Sequence, residues 1–366
     1  MKRKTRVGIL FGGRSAEHEV SLQSAKNIVA AIDRDKYEPI LIGIDKAGRW
    51  SHIRDDNFLQ KFLTGETASL PEFSESLLVS PCPEEGRFFH TREGQTVAQV
   101  DVVFPVLHGT FGEDGTIQGL LKLSGIPFVG ADVLGTAVGM DKDVMNRVLR
   151  DAGIPIPGFL VYTWSSKGAI DFDTVKHTLG TPLFVKPANL GSSVGIAKVN
   201  EERKFAEACS QAFSYDTKII IEEAVEGREI ECSVLGNEQP EASLPGEVKP
   251  RHEFYSYDAK YVDSEGAELV IPAELSAKVR EKVKDLAVRT FKALCCEGLA
   301  RVDFFLRGES EVLVNEINTL PGFTAISMYP KLWAASGVSQ TELIDRLITL
   351  ALQRAEREKT LNRSYS

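Results

Sequence analysis

The stretch Val7-Gly8-Ile9-Leu10-Phe11, entered from Arg6 and closed by Gly12-Gly13, constrains the fold more than any other part of the chain. A strand that is apolar at nearly every residue, rather than at alternate ones, has to be covered on both faces, as parallel strands in α/β sheets are. A crossover helix must follow it. Leu22, Ala25, Ile28, Val29 and Ile32 supply an apolar face at helical spacing, with Ser21 as the expected cap. Residues 40–44 and 100–107 read as further strands and 126–129 as a short fourth, so the expected unit is α/β with a mostly parallel sheet. Ligand loops of such a sheet lie beyond the carboxyl ends of its strands. Two glycine-containing loops fall there, Gly12-Gly13-Arg14-Ser15-Ala16-Glu17-His18-Glu19 and His108-Gly109-Thr110-Phe111-Gly112-Glu113-Asp114-Gly115. Residues 51–98 are rich in Ser, Pro and Glu without a clear period, and are expected to be an irregular insertion.

The 366 residues exceed one ordinary core, and the usual allowance of about 100–200 residues per domain gives two or three. Residues 141–152 read as a helix leading into Gly153-Ile154-Pro155-Ile156-Pro157, a stiff junction suited to the entry of a second unit. There 183–186, 194–199 and 219–222 read as strands. A third unit from about residue 223 shows a strand at 230–235, a long loop at 246–263, and a helix at 275–294. Leu275, Val279, Val283, Leu286, Phe291 and Leu294 form that helix's apolar stripe. Ser339 and Glu342 have the spacing of a capping box that opens a last helix through residue 352.

Forty-three Lys and Arg against 52 Asp and Glu leave a net charge of -9, which disfavours nucleic acid or an anionic membrane as partner. A nucleotide remains compatible, because a phosphate site needs only a few local lysines and backbone N–H groups. The five cysteines, Cys82, Cys209, Cys232, Cys295 and Cys296, are odd in number and lack a C-x-x-C pair, so neither a disulfide framework nor a zinc site is read from them. The apolar run after Lys2-Arg3-Lys4 is too short for a signal peptide, and no stretch reaches the 18 or so apolar residues of a membrane span. A cytoplasmic protein is expected.

Chemistry is concentrated in three places. Residues 300–306 and 312–318 read as a hairpin turning at Arg307-Gly308-Glu309-Ser310. Strand alternation puts Arg301 and Asp303 on one face, Glu316 and Asn318 on one face of the partner, and Val302, Phe304, Val314 and Ile317 in apolar packing. Two carboxylates and a carboxamide on a rigid sheet, with room for phosphate oxygens and water, suit Mg²⁺. In Lys186-Pro187-Ala188-Asn189-Leu190-Gly191-Ser192-Ser193-Val194-Gly195 a lysine ends a buried strand before a hydroxyl-rich loop able to lay N–H groups over phosphates. It has neither the G-K-[ST] nor the dinucleotide spacing. Lys142 supports the same reading. Phe254-Tyr255-Ser256-Tyr257-Asp258-Ala259-Lys260-Tyr261 is either a surface loop packed by its own aromatics or a lid that excludes water from reacting groups.

In this order, these elements resemble the ATP-grasp fold and, within it, the D-alanine:D-alanine ligases. The resemblance rests on the loops at 11–21 and 108–115, Met140-Asp141-Lys142, 186–195, 222–232, 255–261, Arg301 to Asp303, and Asn315-Glu316-Ile317-Asn318-Thr319-Leu320-Pro321-Gly322-Phe323-Thr324. It implies three domains: a Rossmann-like one at 1–130 binding the first D-alanine, a central ATP-grasp subdomain at 131–222, and a catalytic one at 223–366 with a lid at 246–263. It implies that Lys142, Lys186, Ser192, Ser193 and Lys260 meet ATP phosphates, Glu222 and Glu229 the adenine and ribose, and Asp303, Glu316 and Asn318 two Mg²⁺, with Mn²⁺ as a substitute. Glu17, with His108 nearby, anchors the first D-alanine; Lys260 and Ser327 hold the second; Arg301 and the Gly322 N–H stabilise the oxyanion. Tyr261, networked with Ser192 and Glu17, is similar to the dipeptide-forming members, whereas depsipeptide-forming relatives tend to carry phenylalanine. The activity implied is ATP-dependent synthesis of D-alanyl-D-alanine through an acyl phosphate, for peptidoglycan precursors, by a homodimer. Two alternatives stand beside it: an ATP-grasp ligase with another acceptor such as D-lactate, and a nucleotide-binding protein without catalysis.

Overall fold

The computed structural model describes residues 3–362 apart from 55, 65, 67–68, 72–75, 82–87, 91–93, 192–193 and 251–266. The opening apolar run becomes β1 (Thr5–Gly12), followed by α1 (His18–Ala31) and β2 (Tyr37–Ile44). α1 starts three residues before the expected cap. Ser21 is wholly buried, and its hydroxyl accepts from Gly12 N at 2.8 Å and donates to Val106 O, satisfying backbone groups that two strand ends leave over. The segment expected to be irregular holds β3 (Trp50–Ile53), α2 (Asp56–Thr64), β4 (Leu78–Val79), β5 (Phe88–His90) and β6 (Thr96–Gln99). Strands of two to four residues are too short to display a period.

With β7 (Val102–Val106) the first sheet takes the order β3-β2-β1-β7, parallel from β2 to β7 and closed by antiparallel β3. Residues 126–129 make only a parallel bridge, Val103 to Phe128, because Pro127 has no N–H for a ladder. α3 (Thr116–Leu123), α4 (Val133–Met140) and α5 (Lys142–Asp151) lead out of this unit.

The second sheet, in the order β10-β9-β11-β8, is antiparallel: β8 (Phe159–Thr163), β9 (Leu183–Pro187), β10 (Ala197–Val199) and β11 (Lys218–Glu223), backed by α6 (Phe172–Leu179) and α7 (Glu202–Tyr215). Leu183, Val185, Ile219 and Ile221 face those helices, so alternation turns Phe184, Lys186, Ile220 and Glu222 the other way. The third sheet runs β15-β14-β12-β16-β17, with β12 (Arg228–Gly236), β13 (Glu241–Ala242) pairing beside it, β14 (Gly246–Pro250), β15 (Ala267–Val270), β16 (Gly298–Arg307) and β17 (Glu311–Asn318). The long loop expected at 246–263 thus begins as a strand; the rest of it lies outside the described residues. α8 (Ala277–Ala293) covers this sheet with its apolar stripe.

α9 (Met328–Ala335) and α10 (Gln340–Lys359) finish the chain. Ser339 caps α10 as expected, accepting from Glu342 N at 3.2 Å, but the helix runs past residue 352 because Arg354 remains buried and no breaker intervenes. α10 returns to the beginning of the molecule. Leu343, Ile344, Leu347, Ile348 and Ala351 share one core with Val7, Ile9, Phe11, Ala25 and Ile28. No helix among the described residues is long and apolar enough to cross a membrane.

Candidate active site

The hairpin gathers its polar groups through one irregularity. Arg301 pairs with Asn318 and Asp303 with Glu316, but the next pair is Phe304 with Val314, so β17 carries one extra residue. This bulge switches which face alternate residues occupy. Val312 and Val314 point into the α8 core before it and Ile317 after it, leaving Glu316 and Asn318 beside Asp303 on the opposite face. Without it, Glu316 and Asn318 would point under the sheet.

On that face Arg301 grips Asp303 with two bonds, Nε to Oδ1 and Nη2 to Oδ2, both 2.7 Å. Its Nε also lies 2.7 Å from Glu231 of β12, directly across from Asp303. Asn318 Nδ2 donates to Asp303 Oδ2 at 3.0 Å. Among the described residues no three His, Cys, Asp or Glu side chains gather as a metal site. The set here is two carboxylates and a carboxamide, hard oxygen donors that fit a divalent cation sharing its remaining positions with phosphate and water.

Facing the hairpin, a cavity of about 430 Å³ opens between the second and third sheets. Lys142, Lys186, Glu222, Glu229 and Glu316 line it together with Phe184, Leu190, Ile196 and Phe305. Lys186 and Glu222 are diagonal neighbours on β9 and β11, and their side chains meet at 2.6 Å. Burial disfavours the Lys186 ammonium, yet Glu222 outweighs it and raises its pKa. Asn146 of α5 donates to the other Glu222 oxygen at 3.2 Å, fixing the carboxylate. Lys142 opens α5 behind the Asp141 cap; its Nζ donates to Leu190 O at 2.8 Å and lies 3.7 Å from Glu316. Cations and apolar walls meeting in one cleft can take a phosphorylated, flat-ringed ligand.

The third wall comes from the loops after β1 and β7. Glu17 is buried at the α1 entry, its carboxylate against Gly109; the φ of 71° at Gly109 favours glycine, and a Cβ there would also stand 2.6 Å from Glu17 Oε2. Glu113, partly buried, accepts from Gly109 N at 3.0 Å. Burial, then repulsion from Glu17, pushes its carboxyl up to about 8. His108 is buried with Nε2 3.1 Å from Ser24 Oγ and Nδ1 3.0 Å from Leu320 O. Leu320 belongs to the segment leaving β17. There a Cβ on Gly322 would come within 2.8 Å of Ser327 Oγ, which accepts from Thr324 N at 3.0 Å.

The structure therefore brings Lys142, Lys186, Glu222, Glu229 and Glu316 to one cavity, and Arg301, Asp303 and Asn318 to the face beside Glu316. Glu17, His108, Gly322 and Ser327 stand at the loops adjoining them. Ser192, Ser193, Lys260 and Tyr261 lie outside the described residues. Sequence reasoning passed over Glu231, Glu113, Asn146 and Ser24. Glu231 had a signal, since it alternates with buried Ile230 and Cys232 exactly as Glu229 does; the other three show their roles only through long-range partners.

Models of the D-ala D-ala ligase N-terminus and C-terminus match residues 6–131 and 148–349. The D-alanine--D-alanine ligase of Oceanobacillus iheyensis is 53% identical over 364 residues, covering 99% of both chains. The solved D-alanine-D-alanine ligase of Coxiella burnetii superimposes with a TM-score of 0.82 at 39% identity over 97% of each chain. The VanG D-Ala:D-Ser ligase of Enterococcus faecalis gives 0.84 at 36% identity over 95% of this chain and 100% of that one. On this full-length likeness, and with an ATP-grasp arrangement of sheets around the cleft, the chain belongs to the D-ala D-ala ligase family.

Proposed function

We propose that this protein joins two molecules of D-alanine at the expense of ATP, in the cytoplasm, for peptidoglycan precursors. The observation that carries the reading is the single cleft in which two buried lysines, Lys142 and Lys186, converge with Glu316 of a hairpin whose neighbouring groups are Arg301, Asp303 and Asn318. Lys142 and Lys186 hold the phosphates, and Glu222 and Glu229 the adenine and ribose. Ser192, Ser193 and Lys260 complete the nucleotide site by family resemblance. Asp303, Glu316 and Asn318 hold two Mg²⁺, replaceable by Mn²⁺; bound there, the ions offset phosphate charge.

Glu17, with His108 behind it, receives the ammonium of the first D-alanine, whose carboxylate attacks the γ-phosphate to give an acyl phosphate and ADP. The amine of the second D-alanine, held by Ser327 and Lys260, then attacks the acyl carbon and phosphate leaves. Arg301 and the Gly322 N–H face the oxyanion of the tetrahedral intermediate, where preorganised donors contribute most. Tyr261, with Ser192 and Glu17, favours the amine as acceptor. Each of the three units, 1–130, 131–222 and 223–366, has its own sheet, which supports treating them as domains that clamp the nucleotide; the family resemblance adds a homodimer, testable by sedimentation.

The direct test is incubation with ATP, Mg²⁺ and D-alanine, following ADP and dipeptide, with L-alanine as control. ADP release and D-alanyl-D-alanine only with the D-isomer support the reading. ATP binding without turnover leaves a nucleotide-binding protein, and product only with D-lactate or D-serine moves the acceptor.

A further inference from the structure

Residues 320–323 leave the third sheet and are held by the first unit through a closed ring of hydrogen bonds. Phe323 N donates to Ser24 Oγ of α1 at 3.1 Å. Ser24 Oγ lies 3.1 Å from His108 Nε2, and His108 Nδ1 lies 3.0 Å from Leu320 O. A carbonyl can only accept, so Nδ1 carries the proton. A neutral imidazole then offers Nε2 as a lone pair, and the Ser24 hydroxyl donates into it while accepting from Phe323 N. Every donor and acceptor in the ring is used once. Burial favours the neutral ring this assignment needs, holding His108 below its ordinary pKa against the opposing pull of Glu17. Asn27, one turn along α1, donates to Phe323 O at 2.9 Å, and the Phe323 ring stands edge-on to Phe104 of β7 at 5.8 Å. Pro321-Gly322 is the part of the chain that this ring encloses.

We infer that Ser24, acting through His108 and assisted by Asn27, is a positioning residue that fixes the Gly322 N–H at the reacting carbon. The inference rests on the reading of Gly322 as an oxyanion donor. It gives His108 a different task from contact with substrate: both ring nitrogens are committed to Ser24 and Leu320. It also makes the oxyanion donor a joint product of two units, since the N–H belongs to the segment after β17 and its clamp to α1 and the loop after β7. A donor group tolerates little misplacement, and an error of about 1 Å in such a site costs roughly a hundredfold in rate.

The experiment compares Ser24→Ala and Asn27→Ala with the parent full-length enzyme in three measurements: amide hydrogen exchange across residues 320–324, kcat and KM for ATP and D-alanine, and affinity for a phosphinate dipeptide analogue whose tetrahedral phosphorus carries the oxyanion. For Ser24→Ala we expect faster exchange, kcat lower by roughly ten- to a hundredfold, weaker phosphinate binding in the same ratio, and an unchanged KM for ATP. Asn27→Ala, which leaves the ring intact, keeps the test usable if Ser24→Ala does not fold, and should show the same pattern more weakly. Unchanged exchange with unchanged kcat overturns the clamp itself. Faster exchange with unchanged kcat and phosphinate affinity overturns the inference by way of Gly322, showing that this N–H is no oxyanion donor. A loss of kcat and of ATP affinity together, with uniformly faster exchange, overturns it in favour of general destabilisation.

Discussion

Gly322→Ala tests the tightest approach in the proposed oxyanion site. The new Cβ would stand 2.8 Å from Ser327 Oγ and 3.7 Å from Ser327 Cβ, so one atom is responsible for the overlap. That oxygen cannot simply swing away, because it accepts from Thr324 N at 3.0 Å and pairs with Thr324 Oγ1 at 2.8 Å. Relief must come from the backbone at Gly322, which needs to move by roughly half an ångström or more to reach ordinary contact. Overpacking of this kind costs about 1–3 kcal/mol, a fall of a few degrees in Tm. The N–H moves with the backbone, and removal or misplacement of one oxyanion donor lowers kcat by roughly 100- to 1,000-fold. The informative arm is the double variant Gly322→Ala with Ser327→Ala, which deletes the obstructing oxygen. Thermal unfolding should show positive coupling, the double variant recovering at least about 1 kcal/mol of what the single changes predict by addition. Coupled ADP release should show kcat partly restored, with KM for the second D-alanine raised because Ser327 is gone. Additive stabilities, or a Gly322→Ala enzyme with parental kcat, would refute the geometry from which these figures come.

Asp303→Asn and Glu316→Gln should each abolish ADP release at ordinary Mg²⁺ while leaving the circular dichroism spectrum unchanged; turnover in either variant removes that residue from the proposed metal set. The pH dependence of stability tests Glu113. Burial, then repulsion from Glu17, pushes its folded carboxyl up to about 8 from an ordinary 4.5, so the folded state holds this proton more tightly than the unfolded chain does. Its contribution is complete below about pH 4.5 and is lost as pH rises through about 8. Glu113→Gln should therefore gain Tm over the parent progressively across that window, and parallel profiles would contradict the shift. Tyr261→Phe should raise incorporation of D-lactate relative to D-alanine, read by product mass; an unaltered ratio removes Tyr261 from acceptor choice.

Much of this was legible in the residues because the relevant patterns are local. The all-apolar Val7 to Phe11 run could only be a covered parallel strand, and β1 lies between β2 and β7 in parallel register. Val314 and Ile317 both read as core although three apart on a strand, which regular alternation forbids; the bulge between them reconciles the two. Other features were hidden because their cause is distant. Ser21 looks like a cap until Gly12 and Val106 are seen to need its hydroxyl. Nothing in the spacing of Ser24 announces Phe323, 299 residues away. Glu113 reads as one more loop acid until its burial beside Glu17 sets its charge apart. The short strands between residues 51 and 98 are too brief to leave a period.

The return of α10 to the core around β1 has a consequence for biosynthesis. Val7, Ile9 and Phe11 are synthesised well before Leu343, Ile344, Leu347, Ile348 and Ala351, which share their core. The nascent sheet around β1 therefore keeps one apolar flank open until α10 has been synthesised and can dock on it.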